Sequence, residues 1–513
     1  MPTSSPSPLA GLLAGQTTAP AIGAPNRAPM SYGALDALMT QVAADLGRAG
    51  IGADDRVAIV LPNGPTMASC FLAVASVSGA APLNPSYRAA EFEFYLDDLA
   101  PKAMILPAGE TSPARDVAVR KGIVIIELDD DASQAAGLFR LDYRAQTAAP
   151  AQRLPGAEDI ALVLHTSGTT SRPKIVPLSQ ANLCASARHI TRMLALTSDD
   201  HCLNIMPLFH IHGLIAAVLS SLASGGRVTC TPGFSATAFF GWLAAARPSW
   251  YTAVPTMHQV ILDRAPRNHD IIARTPLRFI RSSSSSLPPP VMMRLEDIFG
   301  CPVLESYGMT EAAHQMTSNP LPPAARKPGA VGVAAGPQVR TLRADGQFCA
   351  AGEEGEIVIR GPNVTTGYAN NTQANHDAFV RDAEGGQAWF RTGDLGVFDS
   401  DGYLTISGRI KEIINRGGEK VAPREVDDVL TAHPDVQQAV TFAVRHAKLG
   451  EDIAAAVVLR TDATTSERGL REFAATQLAS FKVPARIHFV TEIPKGSTGK
   501  LTRIGLAKLL GIE

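Results

Sequence analysis

The length, composition and charge of this chain favour a multidomain enzyme. Its 513 residues exceed what a single hydrophobic core usually supports, so we expect at least two domains. With 46 basic against 48 acidic side chains and a formal net charge of -2, the chain lacks the basic character of proteins that bind nucleic acid or anionic membranes. Small neutral or anionic ligands remain open as substrates.

Three features of the sequence predict a cytoplasmic protein without integral membrane association. The six cysteines are scattered, with no CxxC pair and no zinc-knuckle spacing, as is typical of buried thiols in a reducing compartment. The first 20 residues lack the basic leader of a secretion signal. The longest uncharged stretch, from Leu61 to Tyr87, is broken by prolines and glycines and is too weakly apolar to span a bilayer.

The predicted elements change character twice along the chain. From Tyr32 to about residue 310, helical patterning such as LDALMTQVAADLGRAG alternates with apolar runs such as RVAIVLP, which predicts an α/β fold with largely parallel sheets. Between about 330 and 408, short strands and glycine-aspartate turns indicate a β-rich subdomain. The last 105 or so residues predict a small α+β domain. We therefore expect an N-terminal domain over residues 1–408 and a mobile C-terminal domain over 409–513.

A loop rich in hydroxyls and glycine follows an apolar strand and runs from Thr166 to Lys174 as TSGTTSRPK. Backbone N–H groups, hydroxyls and one cation in such a loop can surround a polyphosphate. The loop is not a Walker loop, because the GxxxxGKS/T spacing is absent. Taken alone, this stretch is equally compatible with an ordinary surface turn.

Two further motifs carry groups that suit a nucleotide. Ser306 to Glu311 (SYGMTE) places an aromatic ring, a glycine, a hydroxyl and a carboxylate close together, enough to stack a base, admit a phosphate and hold Mg²⁺. Arg391 to Asp394 (RTGD) offers a carboxylate that could accept both ribose hydroxyls. Each has an alternative explanation, a strand end with a solvated glutamate for the first and a simple turn for the second.

Five motifs together resemble the adenylate-forming superfamily, which includes acyl-CoA synthetases, peptide-synthetase adenylation domains and firefly-type luciferases. They are TSGTTSRPK, YGMTE, RTGD, GRIKEIINRGGEKVAPREV and PKGSTGK, and they span nearly the whole chain in the family's order. The resemblance implies an ATP-dependent acid-thiol ligase that forms an acyl adenylate and passes the acyl group to coenzyme A. It also implies Mg²⁺ as a cofactor, and we expect a monomer or homodimer.

The resemblance implies a role for each motif residue. The TSGTTSRPK loop would hold the β and γ phosphates, Tyr307 would stack on adenine, Thr310 would touch the α phosphate, and Glu311 would hold Mg²⁺. Asp394 and Arg409 would bind the ribose. The residues expected to bind ATP or AMP are Thr166, Ser167, Gly168, Thr169, Thr170, Lys174, Tyr307, Gly308, Thr310, Asp394 and Arg409.

The C-terminal motifs imply the chemical step and a movement. Lys500 matches the lysine that bridges the carboxylate and the α phosphate, and a lysine in a closed, water-poor site would cancel the repulsion between these anions. Lys411 matches a hinge between two poses of the small domain. Gly417 and Gly418 would then let pantetheine pass close to the backbone. Asn415 departs from several relatives, which carry lysine there.

The sequence predicts a polar acyl pocket. The resemblance places His210, in FHIHG, at the floor or gate of this pocket; a metal site lacks a third ligand nearby, and a polar turn at a strand end is also compatible. The run RSSSSS, with Ser283 and Ser284, and His314 would line the walls. Hydroxyls and histidine suit a second carboxylate better than a fatty chain. Because ESYGMTEAAHQMTSNPLPP resembles the oxalate-CoA ligase branch, we predict oxalate as substrate.

Several alternatives stay open at this level. The acid could be another small, aryl or fatty acid, or the enzyme could load a carrier protein in place of CoA, although no carrier module is evident. A pseudoenzyme is disfavoured because Lys500, Glu311 and Asp394 are all present. An oxygenase of the luciferase kind remains compatible with the fold.

Overall fold

The computed structural model describes residues 7–142, 153–166, 173–381, 387–495, 501 and 503–512. Within these ranges no helix is both long and apolar enough to cross a membrane. The strands are β1 (Pro20–Ala24), β2 (Arg27–Ser31), β3 (Arg56–Ile59), β4 (Gly79–Pro82), β5 (Ala103–Pro107), β6 (Val124–Asp129), β7 (Arg140–Asp142), β8 (Ile160–His165), β9 (Ile175–Ser179), β10 (His201–Asn204), β11 (Arg227–Cys230), β12 (Trp250–Ala253), β13 (Phe279–Ser283), β14 (Val303–Met309), β15 (His314–Ser318), β16 (Val333–Ala334), β17 (Gln338–Leu342), β18 (Glu354–Arg360), β19 (Phe379–Val380), β20 (Trp389–Phe398), β21 (Leu404–Arg409), β22 (Ile414–Arg416), β23 (Glu419–Val421), β24 (Val436–His446), β25 (Gly450–Leu459) and β26 (Arg486–Phe489).

Helices separate most of these strands. The α-helices are α1 (Tyr32–Arg48), α2 (Pro65–Ala75), α3 (Ala89–Leu99), α4 (Pro113–Lys121), α5 (Gln180–Met193), α6 (Ser220–Ala223), α7 (Phe239–Ala246), α8 (Pro255–Arg264), α9 (His269–Arg274), α10 (Pro289–Phe299), α11 (Thr372–Ala378), α12 (Pro423–Thr431), α13 (Glu467–Ala475) and α14 (Leu506–Leu509). A π-helix over His212–Leu219 and short 3₁₀ turns, among them Thr310–Ala312 and Ile410–Glu412, complete the set used below.

A nine-stranded sheet carries one half of the candidate site. Its order is β16-β15-β14-β13-β12-β10-β11-β1-β2, and the strands from β14 to β1 run parallel. The central strands β12 and β13 are buried along their whole length, as expected for parallel strands covered on both faces. Ligands of open parallel sheets bind beyond the carboxyl ends of the strands, so the segments after β13 and β14 are well placed for function.

A seven-stranded sheet carries the other half. Its order is β7-β6-β5-β3-β4-β8-β9, parallel from β6 to β8 and closed by antiparallel strands at both edges. The pairing of β8 with β9 sets His165 opposite Ile175. The predicted phosphate loop therefore leaves and re-enters the sheet at one point.

Two smaller sheets complete the architecture. An antiparallel sheet of order β17-β18-β20-β19, with β21 on β20, corresponds to the expected β-rich subdomain. The last sheet, β23-β22-β25-β24 with β26 on β25, packs its own apolar core against α12 and α13. The predicted class, an α/β fold with largely parallel sheets followed by a small α+β unit, is confirmed. The boundary between residues 408 and 409 stays a prediction.

Candidate active site

The residues predicted to bind the adenosine meet at one carboxylate. Pairing of β20 with β21 sets Asp394 opposite Arg409, whose Nε donates to Asp394 Oδ1 at 2.6 Å. Tyr307, at the end of β14, donates its hydroxyl to Asp394 Oδ2 at 2.5 Å. Burial and the nearby Asp394 charge raise the pKa of Tyr307 far above its ordinary value, so this hydroxyl stays a donor. The buried carboxylate is thereby held in one orientation.

A second carboxylate lies beside a lysine. Glu311 is buried on the 3₁₀ turn after β14, and the hydroxyl of Tyr368 donates to its Oε1 at 2.8 Å. Lys174 Nζ lies 4.3 Å from the centroid of the same tyrosine ring. Burial raises the pKa of Glu311, and the hydrogen bond from Tyr368 and the charge of Lys174 partly oppose this rise. A carboxylate and an ammonium group in one shielded place can bind a metal and phosphate oxygens respectively.

The described ends of the phosphate loop are fixed to each other. Thr166 donates its backbone N–H to the carbonyl oxygen of Lys174 at 2.9 Å, and the Lys174 N–H donates to Thr166 Oγ1 at 3.1 Å. Burial, and then the charge of Lys411, lower the pKa of Lys174, while Glu311 raises it. The charge of Lys411 is therefore felt at Lys174. The other loop residues predicted to bind ATP, Ser167, Gly168, Thr169 and Thr170, lie outside the described residues.

Gly308 is required by the packing of β14 against β15. A Cβ at this position would lie 1.7 Å from the carbonyl oxygen of His314 on the paired strand β15. Thr310 begins the 3₁₀ turn that carries Glu311 and is half-buried. The predicted YGMTE residues therefore form one rigid corner between β14 and β15.

We expect Tyr368→Phe to lower kcat/KM for MgATP by about 10- to 100-fold, since it removes a hydrogen bond to a charged group. Tyr403→Phe is the matched control, because its hydroxyl donates to the carbonyl oxygen of Ala325, away from the site. Steady-state kinetics with varied MgATP would check this. An unchanged value for Tyr368→Phe, or an equal loss in both variants, would contradict it.

A buried cationic cluster is centred on a side chain of β13. Arg281 is fully buried; its Nη2 lies 3.0 Å from His314 Nε2 and its Nη1 lies 3.3 Å from His212 Nε2. The two imidazole rings are stacked, with centroids 5.0 Å apart. Because a guanidinium only donates, His314 Nε2 accepts from Arg281. His212 Nε2 lies closer to Thr252 Oγ1, at 2.6 Å, than to Arg281, and its Nδ1 is hydrogen-bonded to Ser284 Oγ at 3.0 Å.

The partners of Arg281 are neutral. Besides the two imidazoles, its Nη2 donates to Gln315 Oε1 at 3.3 Å, and in the described part of the chain Nε has no hydrogen-bond partner and no carboxylate forms an ion pair with this side chain. Burial lowers the pKa of Arg281 to about 9, which leaves it charged at neutral pH. A buried charge that meets only neutral groups is costly, and an anion with two oxygens would complete its hydrogen bonding.

The predicted acyl-site residues divide into two groups. His314 and Ser284 belong to the cluster, whereas Ser283 Oγ donates to the carbonyl oxygen of Ser306 at 2.8 Å within the sheet. His210 is half-buried just before the π-helix, and its Nδ1 accepts from the His212 N–H at 3.4 Å. Sequence reasoning placed Arg281 in the run RSSSSS that would line this pocket but gave no role to its charge, and it assigned His212 no part in acid binding.

The C-terminal candidates have a local structural account. Gly417 and Gly418 form the turn between β22 and β23 with φ of 62° and 100°, a region that favours glycine. Asn415 Oδ1 accepts from the Gly418 N–H at 3.1 Å, so the residue that departs from the family pattern stabilises this turn. Lys500 lies outside the described residues.

Comparison with known proteins identifies the family of this chain. The chain matches the family model "AMP-binding enzyme" over residues 14–369 and "AMP-binding enzyme C-terminal domain" over 425–500. It is 46% identical to an oxalate-CoA ligase of Arabidopsis thaliana, with 89% of this chain and 88% of that one covered. It is 40% identical to an oxalate-CoA ligase of Saccharomyces cerevisiae, with 88% and 86% covered.

A crystal structure of ATP-bound MatB from Rhodopseudomonas palustris superimposes with a TM-score of 0.85 at 29% identity and covers 97% of each chain. Its fold therefore agrees with the present one over almost the whole length. These matches confirm the family expected from the five motifs. The chain belongs to the AMP-binding enzyme family and is an AMP-forming acyl-CoA synthetase of the adenylate-forming superfamily.

Proposed function

We propose that this enzyme is an oxalate-CoA ligase. One carboxylate oxygen of oxalate attacks the α phosphorus of ATP, pyrophosphate leaves, and the sulfur of CoA then attacks the acyl carbon of oxalyl adenylate as AMP leaves. The observation that carries the proposal is the fully buried Arg281, whose described partners are all neutral.

The charge of Arg281 favours a second carboxylate on the acid. A fatty or aryl acid would set an apolar chain against a buried guanidinium and leave its desolvation uncompensated. Oxalate is two carboxylates joined by a single bond, so one can react while the other accepts from Arg281. The likeness to two oxalate-CoA ligases supports the same choice.

The remaining polar groups suit a small acid. Thr252 Oγ1 lies 2.6 Å from His212 Nε2, and Ser284 engages the opposite nitrogen, so His212 is held on both sides. With His314 stacked on it, the cluster offers a rigid and polar wall. Rigid donors that need no rearrangement are the kind that discriminate best between acids differing in one polar group.

Glu311 is the proposed Mg²⁺ ligand, and its chemistry fits. Among the described residues no group of three or more His, Cys, Asp or Glu could hold a metal. Mg²⁺ usually binds through one or two carboxylates plus the phosphates of the substrate, so a single buried glutamate beside Lys174 is an adequate protein contribution. When bound, the ion would offset phosphate charge.

The other site residues keep the roles that the family resemblance implies. We propose that Thr166, Lys174 and the loop between them hold the β and γ phosphates, and that Asp394 and Arg409 hold the ribose. Lys411 would act as the hinge, and Gly417 and Gly418 would line the path of CoA. We also propose a cytoplasmic location and a monomer or homodimer as the working form.

A matched substrate pair tests the acid. Purified enzyme with ATP, Mg²⁺ and CoA is given oxalate or oxamate, which has nearly the same shape but an amide in place of one carboxylate, and release of AMP and pyrophosphate is followed. Malonate, acetate, octanoate and 4-coumarate complete the panel. We expect oxalate to exceed oxamate by at least about 100-fold in kcat/KM, since a buried charge pair is lost. A winning monocarboxylate would overturn the oxalate assignment and leave the ligase intact.

The acceptor is tested in the same assay. Formation of oxalyl-CoA from free CoA without any carrier protein would support a CoA ligase. Pyrophosphate exchange with oxalate but no thioester would favour the alternative, an enzyme that loads a carrier protein.

A further inference from the structure

One loop joins the cationic cluster of Arg281, His212 and His314 to the C-terminal part of the chain. Because this cluster is the proposed site of the acid substrate, we call it the acid cluster. We call residues 282–286, which follow Arg281, the serine run. Within it, Ser284 Oγ is hydrogen-bonded to His212 Nδ1 at 3.0 Å. Two residues later, Ser286 Oγ accepts from Arg424 Nη2 at 2.5 Å. Arg424 lies in the first turn of α12, so a C-terminal side chain reaches the segment that positions His212.

The conformation of the serine run depends on such contacts. Ser284 has φ of 74°, a left-handed conformation that a residue with a side chain adopts only when its surroundings enforce it. The two ends of the run are fixed by the sheet, since Ser283 Oγ donates to Ser306 O at 2.8 Å and the Leu287 N–H donates to Glu305 Oε1 at 2.8 Å. Between these ends, His212 contacts the hydroxyl of Ser284 and Arg424 contacts the hydroxyl of Ser286.

Arg424 is held where it can act on this loop. Its side chain is only 15% exposed, and its Nε lies 3.7 Å from Asp428 Oδ2 one turn along α12. The buried Glu305 on β14 is close enough that the Arg424 charge opposes the rise that burial imposes on its pKa. Other contacts of the C-terminal part end elsewhere, for example Gln438 Nε2 on Gln259 Oε1 of α8 at 3.3 Å.

We propose that Arg424 is a positioning residue for the acid substrate. Through Ser286 it holds the serine run in the conformation that places Ser284 on His212, and so the docking of α12 sets the geometry of the acid cluster. The inference rests on the proposed function, because it takes the cluster around Arg281 to be the acid site.

The test separates acid binding from nucleotide binding in the full-length enzyme. We expect Arg424→Ala to raise KM for oxalate by about tenfold while KM for ATP changes less than about twofold. The reason is that the contact through Ser286 is coupled to the acid cluster and not to the nucleotide-binding residues. Arg424→Lys keeps a donor and should recover most of the loss. Ser286→Ala should match Arg424→Ala, and the double variant should be no worse than either single one.

Gln438→Ala is the matched control, since it removes a contact between the C-terminal part and α8 but does not touch the serine run. Thermal melting of each variant verifies folding. Equal rises in both KM values, additive effects in the double variant, or the same acid defect in Gln438→Ala would overturn the proposal. If the wild-type enzyme does not use oxalate, the substrate panel shows that the proposed function is wrong. The KM values for the acid and for ATP are then measured with the acid that the panel identifies.

Discussion

Replacing Arg281 by methionine is expected to lower kcat/KM for oxalate by roughly two to three orders of magnitude. Removing one partner of a buried charge pair costs about 3–5 kcal/mol, because the remaining charge is left without compensation in a poorly solvated place. In the variant that remaining charge is the second carboxylate of oxalate. The ratio of kcat/KM for oxalate to that for oxamate should fall in parallel, because the neutral amide of oxamate forms no ion pair with Arg281 and so loses less when the charge is removed.

The same substitution has two opposing effects on the unliganded enzyme. Exchanging a buried charge for an apolar side chain is often neutral or stabilising, whereas His314 Nε2 and Gln315 Oε1 lose their donor, so the melting temperature of the unliganded variant is compared with that of the wild type first. We expect oxalate to raise the melting temperature of the wild type but not of Arg281→Met, with ATP raising both. Arg281→Lys keeps the charge without the two-pronged donor and should fall between them. Wild-type activity on oxalate in Arg281→Met would refute the assignment of the acid site.

The nucleotide-binding candidates could be named from the sequence because each belongs to a short local motif, and the structure brings Tyr307, Asp394 and Arg409 together. The end of β14 and the turn after it supply Tyr307 and Glu311, and strand β20 supplies Asp394. Tyr368 was not predictable in the same way. It is a lone aromatic residue in VTTGYANN, with no spacing that links it to Glu311, and only the folded chain brings its hydroxyl within 2.8 Å of that carboxylate.

The acid half of the site stays a prediction, and its charged side chain was not singled out from the sequence. A polar pocket follows from the serine run and His314, yet the side chain with the greatest electrostatic consequence is Arg281. An arginine inside the apolar strand FIRSS was itself a signal, since arginine is rarely fully buried without a partner. The resemblance placed His210 at this pocket, whereas it is His212, the first residue of the π-helix, that contacts Arg281 in the structure.

Gly308 shows that one residue can satisfy two requirements at once. Sequence reasoning assigned it to the approach of a phosphate, whereas the fold demands it because His314 O occupies the place of a side chain. His314 itself has φ of 100°, so the tight corner that excludes a Cβ at 308 also aims an imidazole at Arg281. Nucleotide motif and acid cluster are therefore built on the same turn.

Lys500→Ala is expected to reduce adenylation by about 100- to 1000-fold, the usual loss when one charge-stabilising donor is removed from a transition state. The carboxylate and the α phosphate are both anionic, and their approach requires a cation between them. Transfer to CoA begins from the finished adenylate, in which that repulsion no longer exists. Transfer from a supplied acyl adenylate should therefore stay within about threefold of wild type.

The control for Lys500→Ala lies in the same segment. Lys495 pairs at 3.6 Å with Glu492, so Lys495→Ala removes an equal charge five residues earlier in the sequence, from a lysine with no proposed part in the reaction. Pyrophosphate exchange measures the first half-reaction, and consumption of CoA measures the second. Equal losses in the two half-reactions would mean that Lys500 supports the fold or the domain movement. A comparable loss of adenylation in Lys495→Ala would mean that the effect comes from the change in net charge and not from the position of Lys500.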